Sequence, residues 1–278
     1  MFAEWVAEMS PSPLVAPIEV IRERPWAMIA KVPTADGLLW FKENRAQTRG
    51  ETFLLEALAK WAPDDVLTPI ATDHARGWSL QPDGGPTIDR PDAATWERLL
   101  SRHADLQRRL TVRTPDMLDA GIPDQRPESL MDVFDRLPVP DEVLALRPVL
   151  VAQCAELAAS AIPASLQHDD LHGANVFVSG KFFDWGDASV SHPFGVLLIS
   201  LRVAAEQLGD SVSARLRDAY LEAWSDLADR RALRRDVELA THLGKIGRAL
   251  AWQRSLVSAE DWAEYGDAIP RWLNQLRA

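Results

Sequence analysis

Hydrophobic and polar residues alternate along three short stretches near the start of the chain, the pattern of half-buried β-strands. These stretches are residues 18–24, 27–32 and 38–42. Residues 51–61 then place apolar side chains at 54, 55, 58 and 61, which is the spacing of an amphipathic helix. We therefore expect the chain to begin with a small antiparallel sheet that one helix covers.

Farther along, the hydrophobic pattern becomes helical. Residues 77–86 predict a strand that runs into a turn-rich linker, the expected form of a hinge between two lobes. Residues 114–140 are rich in Pro, Asp and Arg and predict an ordered connector or a substrate lid. Apolar stripes of helical period predict helices over residues 93–110, 141–161, 195–208, 211–228, 230–255 and 259–276. We therefore expect a β-rich lobe over residues 1–82 and a mainly helical lobe over residues 83–278.

The composition is that of a globular protein. The 278 residues are 47% hydrophobic and 26% charged, enough for two lobes with cores of their own. A formal net charge of −11 opposes binding to a phosphate backbone, so no nucleic-acid partner is expected. No apolar run approaches the roughly 18 residues that span a bilayer and the N-terminus lacks an export signal, which predicts a cytoplasmic protein without a membrane partner. The single cysteine, Cys154, is expected to be a packed thiol. The sequence does not indicate an oligomeric state.

Residues 167–184 concentrate the groups that can carry chemistry. Asp170 offers a carboxylate that can accept a proton from a hydroxyl, and Asn175 follows it on the same loop with an amide oxygen. Asp184 then supplies the charged oxygen ligand that a hard cation such as Mg²⁺ prefers. Residues 176–178 and 181–183 predict two short strands around a two-residue turn. Such a hairpin would return Asp184 to the side of Asn175.

These residues resemble a known family. The aminoglycoside phosphotransferase and choline kinase branch of the protein-kinase-like fold has an HxDxxxxN loop followed by Asp-Trp-Gly, matched here by His168, Asp170, Asn175, Asp184, Trp185 and Gly186. The resemblance covers nearly the whole chain and implies a two-lobed α/β (α+β) fold. It also implies Mg²⁺-dependent transfer of the γ-phosphate of ATP, or of GTP, to a hydroxyl of a small molecule. Asp170 would be the base, and Asn175 and Asp184 the metal ligands.

The resemblance also implies which residues contact the nucleotide phosphates. Lys42 ends the third predicted strand, where kinases carry the lysine that binds phosphates; the alternative is a solvated lysine at a sheet edge. Glu51 is the expected partner of Lys42 at the start of the helix, and Glu56 is its competitor.

The base of the nucleotide is expected at the hinge. Pro82 has no N–H, so main-chain contacts would come from neighbours such as Leu80 and Gln81. The first hairpin, residues 24–27, has no glycine where protein kinases place a glycine-rich phosphate cover. This difference puts the nucleotide affinity of the chain in question.

The acceptor is less defined. The family includes enzymes for aminoglycosides, other antibiotics, sugars, choline-like amines and amino alcohols, and the acidic composition slightly favours an amino-bearing molecule. Asp187 is expected near the acceptor, or else as a cap. Most of the 11 tryptophans are expected in the core, and the candidates for pocket walls are Trp185, Trp224, Trp252, Trp262 and Trp272.

Some of these residues also fit two other functions. His168 and His172 stand beside carboxylates, as in a metal hydrolase, but Gly173 and the apolar run after Asn175 disfavour the helix that such a site needs. A nucleotide-binding pseudokinase with a regulatory role is the second alternative. It is supported by the missing glycine-rich cover and by Asp169, which stands where the family often has glycine and could raise the pKa of Asp170.

Overall fold

The computed structural model describes residues 1–277, except for the side chain of Ala46. The first lobe is a five-stranded antiparallel sheet with the order β1-β2-β3-β5-β4. Its strands are β1 (Glu19–Arg24), β2 (Ala27–Thr34), β3 (Gly37–Asn44), β4 (Ala71–Asp73) and β5 (Trp78–Pro82). The three strands predicted first are confirmed, each with slightly different ends.

Two helices lie against this sheet, and their roles differ from expectation. Helix α1 (Phe2–Met9) packs Trp5 and Val6 onto the sheet face that carries Phe41 and Leu80. Helix α2 (Glu51–Trp61) has the predicted bounds, but its leucines belong to the core of the helical lobe. Helix α1, which was not predicted, therefore buries one face of the sheet.

The second lobe is mainly helical. Its helices are α3 (Ala93–Leu110), α4 (Thr114–Asp119), α5 (Leu130–Phe134), α6 (Asp141–Leu144), α7 (Arg147–Ala158), α8 (Leu197–Leu208), α9 (Ser213–Glu222), α10 (Arg230–Ser255), α11 (Ala259–Tyr265) and α12 (Ala268–Asn274). Helices α3 and α10 have the predicted bounds. The helix predicted over residues 141–161 is broken before Pro148, which occupies the first turn of α7. The helix predicted over residues 259–276 is broken at Gly266.

A second sheet, which was not predicted, lies inside the helical lobe. It has three short strands in the order β6-β8-β7: β6 (Asp124–Gln125), β7 (Ser165–Gln167) and β8 (Ser189–Ser191). The predicted connector, residues 114–140, contributes β6 together with α4 and α5 and is therefore ordered. Strands of two or three residues are too short to show a period of two, which explains why the pattern missed them.

The hairpin predicted over residues 176–183 is present only as a reversal with isolated bridges. Val176 pairs with Phe182, and Phe183 N–H donates to the Asn175 carbonyl at 3.1 Å. These bonds return the chain to Asn175 without forming full strands.

In the described part of the chain, no helix has the length and apolarity that a bilayer crossing requires.

Candidate active site

A cleft of about 170 Å³ lies between the first sheet and the helical lobe. Its sheet side is formed by Arg22, Arg24, Trp26, Ala27, Ile29, Lys42 and Asn44, together with Thr48. Its helical side is formed by Asp170, Asp184, Gly186, Asp187, Arg248, Ala251, Trp252 and Ser255. Three of the residues predicted to carry chemistry, Lys42, Asp170 and Asp184, therefore meet in one cavity.

Lys42 is held between two carboxylates. It lies on the cleft face of β3, since its neighbour Phe41 packs against α1 on the other face. Its Nζ lies 2.6 Å from Glu51 Oε2 and 2.6 Å from Asp184 Oδ1. Burial alone lowers the pKa of Lys42, but the two carboxylates outweigh it and raise that pKa above its ordinary value. The ammonium group of Lys42 also lowers the pKa of Asp184, so both groups are charged.

Glu51, not Glu56, is the partner of Lys42 in the structure. The second oxygen of Glu51 accepts a hydrogen bond from Trp185 N–H at 3.0 Å, so this buried side chain joins α2 to the Asp-Trp-Gly segment. Glu56 instead accepts a hydrogen bond from the Thr72 hydroxyl. The difference follows from position, because Glu51 is in the first turn of α2 and lies between Lys42 and the Asp-Trp-Gly segment.

Asp170 has an electropositive environment. Arg248 Nη2 lies 3.5 Å from its Oδ1, and His172 Nε2 lies 3.6 Å from its Oδ2. Burial alone would raise the pKa of Asp170, but His172 and Arg248 outweigh it and lower that pKa to about 2. The carboxylate is therefore ionised at neutral pH, the form in which it can accept a proton.

Arg248 was not among the residues predicted from the sequence. It lies on α10 and is only 8% exposed. Its Nη1 donates to the Asp169 carbonyl at 2.8 Å and to Asp187 Oδ2 at 2.9 Å. The one available signal was an arginine within the buried stripe of a long helix, which rarely occurs without a partner. Asp187, which was expected near the acceptor or else as a cap, lines the cleft and pairs with Arg248.

Asn175 is fixed by a hydrogen bond that selects its orientation. Its Nδ2 donates to the Asp170 carbonyl at 3.0 Å, within a short 3₁₀ turn over Gly173–Asn175. The amide oxygen is thereby left for another ligand. His168 is fully buried and its Nε2 donates to the Phe183 carbonyl at 2.8 Å. This contact braces the loop against the segment that carries Asp184.

Asp169 was expected to raise the pKa of Asp170 if the two carboxylates approached closely, but the pKa of Asp170 is lowered. Its backbone adopts φ of 63°, a left-handed conformation that explains why glycine also suits this position. The side chain is thereby directed into the helical lobe, where Ser189 Oγ donates to Oδ2 at 2.6 Å and Gln167 Nε2 donates to Oδ1. Asp184 has a similar φ of 62°, so both carboxylates sit at unusual backbone positions beside the cleft.

Leu80 and Gln81, the residues expected near the nucleotide base, are not among the residues that line this cleft. The Leu80 side chain is buried on the opposite face of the sheet with α1, and its carbonyl already accepts a hydrogen bond from Ile70 N–H at 2.8 Å. Gln81 donates its side-chain amide to Ser79 Oγ at 3.2 Å. Neither residue is part of the cleft lining in the described chain, so the carbonyl of Leu80 is a poor candidate for a nucleotide contact.

Of the tryptophans proposed as pocket walls, one lines the cleft. Trp252 of α10 does so, whereas Trp185, Trp224 and Trp272 are buried. Trp262 is 39% exposed at the surface. Three of these five tryptophans are buried, so the expectation that most are core residues is confirmed for this set.

The donor set suits Mg²⁺ bound together with a nucleotide. Asp184 offers an ionised carboxylate and Asn175 an amide oxygen, both hard oxygen ligands. Among residues 1–277, no group of three or more His, Cys, Asp or Glu side chains is arranged to hold a metal by itself. Mg²⁺ commonly binds through one or two protein ligands, with phosphates and water completing its shell, so the two residues fit it.

Comparison with known proteins decides the family. A sequence model described as the phosphotransferase enzyme family matches residues 27–262. The chain belongs to this family. The resemblance found from the HxDxxxxN and Asp-Trp-Gly residues is therefore confirmed, and the two-lobed architecture is the protein-kinase-like fold of the phosphotransferase family. A search of curated proteins finds no match.

Solved structures of the same fold include several small-molecule kinases. Choline kinase LicA from Streptococcus pneumoniae is 14% identical, with a TM-score of 0.64 and coverage of 99% of this chain and 97% of that one. Macrolide 2'-phosphotransferase type I is 16% identical, with a TM-score of 0.63 and coverage of 100% and 96%. A spectinomycin phosphotransferase solved with ADP and spectinomycin is 10% identical, with a TM-score of 0.55 and coverage of 100% and 97%. At these identities the likeness concerns the fold.

Proposed function

We propose that the protein is an Mg²⁺-dependent kinase that transfers the γ-phosphate of ATP, or of GTP, to a hydroxyl of a small molecule. The observation that supports this most is the meeting of Lys42, Asp170 and Asp184 in one cleft, with Lys42 held by Glu51. In the reaction, the acceptor oxygen bonds to the γ-phosphorus while the bond from that phosphorus to the oxygen bridging to the β-phosphate breaks. The nucleoside diphosphate leaves with the bonding electrons, and the hydroxyl proton passes to Asp170.

Each residue has one task in this scheme. Asp170 is ionised and accepts the proton, and Arg248 holds its carboxylate in place. Asn175 and Asp184 hold the cation, which supplies positive charge to the phosphate oxygens. Lys42 binds those oxygens as well, because Glu51 keeps its ammonium group directed into the cleft. The main chain near Gln81 remains the proposed contact for the nucleotide base.

The acceptor is proposed as a small alcohol, such as an aminoglycoside, a sugar or an amino alcohol. The similar folds support this range, since their members include kinases of choline, macrolide and spectinomycin. An amino group on the acceptor receives no support from Asp187, which pairs with Arg248. The cytoplasm remains the predicted location.

Ligand binding measured by thermal shift tests the proposal. ATP and GTP, each with and without Mg²⁺, are added to the wild type, to Asp184→Ala and to Asp36→Ala, which removes an exposed carboxylate from the turn between β2 and β3. We expect a stabilisation that requires Mg²⁺, because a ligand bound to the folded state raises its stability. Asp184→Ala should lose it and Asp36→Ala should keep it.

A screen of alcohols for phosphoryl transfer follows, with Asp170→Asn as the test of the base. The variant should keep the nucleotide-induced stabilisation and lose transfer to any acceptor that the wild type phosphorylates. Full transfer by Asp170→Asn would refute the assignment of the base. Nucleotide binding without transfer to any tested alcohol would instead support the pseudokinase alternative.

A further inference from the structure

A β-bulge in β1 determines the direction of its arginines. The pairing of β1 with β2 changes from Val20 opposite Ala30 to Arg22 opposite Ile29, so β1 has one extra residue between them. One extra residue reverses the alternation of side chains between the two faces of a sheet. Val20 is on the face of α1, and Arg22 and Arg24 are therefore turned into the cleft, where both line its sheet side.

The same pairing aligns one of these arginines with Lys42. Arg22 is opposite Ile29 on β2, and Ile29 is opposite Lys42 on β3. Arg22 and Lys42 thus stand in one row across the cleft face, two strand spacings or about 10 Å apart. A ligand with several anionic groups can span this distance.

Arg22 and Arg24 are also the cations of the cleft that have no carboxylate partner. Lys42 pairs with Asp184 and Arg248 with Asp187. Within the described residues, no carboxylate oxygen lies within 4.0 Å of the guanidinium group of Arg22 or Arg24. Both side chains are exposed, so they are free to bind an anion from the cleft.

The hairpin that carries the arginines is held over the cleft by aromatic contacts. Trp26, in the turn between β1 and β2, has its ring centroid 5.6 Å from that of Trp252 and 5.4 Å from that of Tyr265. There is no glycine in residues 19–34, so the hairpin lacks the flexible backbone with which a glycine-rich loop approaches phosphates. Long cationic side chains can instead make the phosphate contact at this position.

We propose that Arg22 and Arg24 bind the phosphate groups of the nucleotide and replace a glycine-rich phosphate cover. This inference rests on the proposed kinase function. The planar guanidinium group of arginine can donate two parallel hydrogen bonds to phosphate oxygens. In a glycine-rich loop, backbone amides would donate the hydrogen bonds to these oxygens. An anionic group on the acceptor has the same chemistry, but the row that Arg22 shares with Lys42 favours the triphosphate.

Calorimetric titration with ATP, inorganic tripolyphosphate and adenosine, each with excess Mg²⁺, tests the inference. Arg22→Ala/Arg24→Ala should weaken the binding of ATP and of tripolyphosphate roughly tenfold to a hundredfold, since hydrogen bonds to charged groups are lost. Adenosine binding should not change. The affinity of Arg22→Lys/Arg24→Lys for both ligands should lie between that of the wild type and that of the double alanine variant. Lysine keeps the positive charge but lacks the planar fork of arginine.

The control is Arg76→Ala, which removes an exposed arginine that lies over Trp78 outside the cleft. It should bind all three ligands as the wild type does. A double alanine variant that binds ATP and tripolyphosphate normally would overturn the inference, and so would an equal loss of adenosine binding. If only the KM for an acceptor rose, the arginines would belong to the acceptor site instead. A wild type that binds neither ATP nor tripolyphosphate would refute both the inference and the proposed function.

Discussion

Arg248 lies 3.5 Å from the carboxylate of Asp170, which connects helix α10 directly to the loop that carries the proposed base. The same guanidinium group binds Asp187 and the carbonyl of Asp169, so its position is fixed by several partners. His172 and Arg248 together keep Asp170 ionised, and Arg248 adds a contact from an element distant in sequence that orients the carboxylate. Arg248 therefore positions the carboxylate of Asp170, and this effect on catalysis can be measured separately from nucleotide binding.

We expect Arg248→Ala to lower kcat on the order of 100-fold with little change in the KM for ATP, because a misplaced base slows the chemical step. The unfolding free energy should fall by about 1–3 kcal/mol, since the Asp169 carbonyl and the partly exposed Asp187 lose a charged hydrogen-bond donor. Steady-state kinetics and urea denaturation measure these two effects. Arg248→Lys should be milder in both.

Arg202→Ala is the matched control for this prediction. The guanidinium groups of Arg202 and Arg248 lie over the same ring, 4.9 Å and 5.8 Å from the centroid of Trp272. Arg202 contacts none of the three aspartates, so its loss should leave kcat unchanged. An equal decrease of kcat in both variants would contradict a role of Arg248 through Asp170.

The two glutamates of α2 offer a second prediction. Glu51→Ala should lower the unfolding free energy by about 3–5 kcal/mol, because Lys42 and Trp185 N–H both lose a buried partner. It should also abolish the nucleotide-induced stabilisation. Glu56→Ala removes a half-exposed carboxylate from the same helix and should cost less than about 1 kcal/mol.

Urea denaturation and thermal shift with Mg²⁺ and ATP measure both variants. Glu51→Gln separates charge from packing, since its amide oxygen can still accept from Trp185 N–H while the ion pair with Lys42 is lost. A Glu56→Ala variant that loses nucleotide binding as fully as Glu51→Ala would mean that the helix, not the Glu51 contact, matters.

Local patterns predicted the elements whose determinants are local. Helices α3 and α10 have the predicted bounds because their apolar stripes are long, and the Asp170, Asn175 and Asp184 motif was identified by residue type and order. Lys42 was predicted from its place at the end of a strand together with the resemblance to kinases. These features need no knowledge of how distant segments pack.

The remaining features depend on contacts between distant segments. Arg248 reaches Asp187 across 61 positions of sequence, and no periodicity reports such a contact. The bulge that turns Arg22 into the cleft is a change of pairing, which the residue pattern of β1 does not show. The direction of Asp169 was missed because a positive φ at a non-glycine residue reverses where its side chain points.

The aromatic cluster of Trp26, Trp252 and Tyr265 supports a third prediction. It joins the β1–β2 turn to α10 and α11, and its ring pairs are edge-to-face or stacked. A double-mutant cycle with Trp26→Ala and Trp252→Ala should give a coupling free energy of about 0.5–1.5 kcal/mol, the range for such pairs. Urea denaturation of the four proteins provides the values.

A parallel cycle with Trp26→Ala and Trp262→Ala is the control. Trp262 belongs to α11 as Tyr265 does, but it is 39% exposed and takes no part in the cluster. Its coupling to Trp26 should be close to zero. The same coupling in both cycles would show a general effect of removing large side chains.

Asp169 gives a prediction for the dependence of stability on pH. Burial raises the pKa of its carboxyl group from 3.8 to about 6, although hydrogen bonds from Ser189 and Gln167 act in the opposite direction. Among nearby charges, Arg248 lowers this pKa and Asp187 raises it, so burial remains the largest cause.

Because the pKa of Asp169 is raised in the folded protein, its contribution to stability is larger at low pH than at high pH. The folded protein binds the proton of Asp169 more tightly than the unfolded chain does, so this group favours folding most below about pH 4. Its contribution declines as the pH rises to about 6 and is constant above that. A difference of about two pKa units corresponds to roughly 3 kcal/mol.

Asp169→Asn removes the titration and keeps the shape, because asparagine tolerates the positive φ of this position. Its unfolding free energy relative to the wild type should therefore rise by roughly 3 kcal/mol between pH 4 and pH 7. Urea denaturation at several pH values gives this difference, and Asp36→Asn reports the general effect of removing one negative charge. Because only the difference between variant and wild type is used, the titration of groups that do not interact with Asp169 cancels. A difference that stays flat from pH 4 to pH 7 would mean that Asp169 ionises alike in the folded and unfolded chains, and that burial does not disfavour its charge.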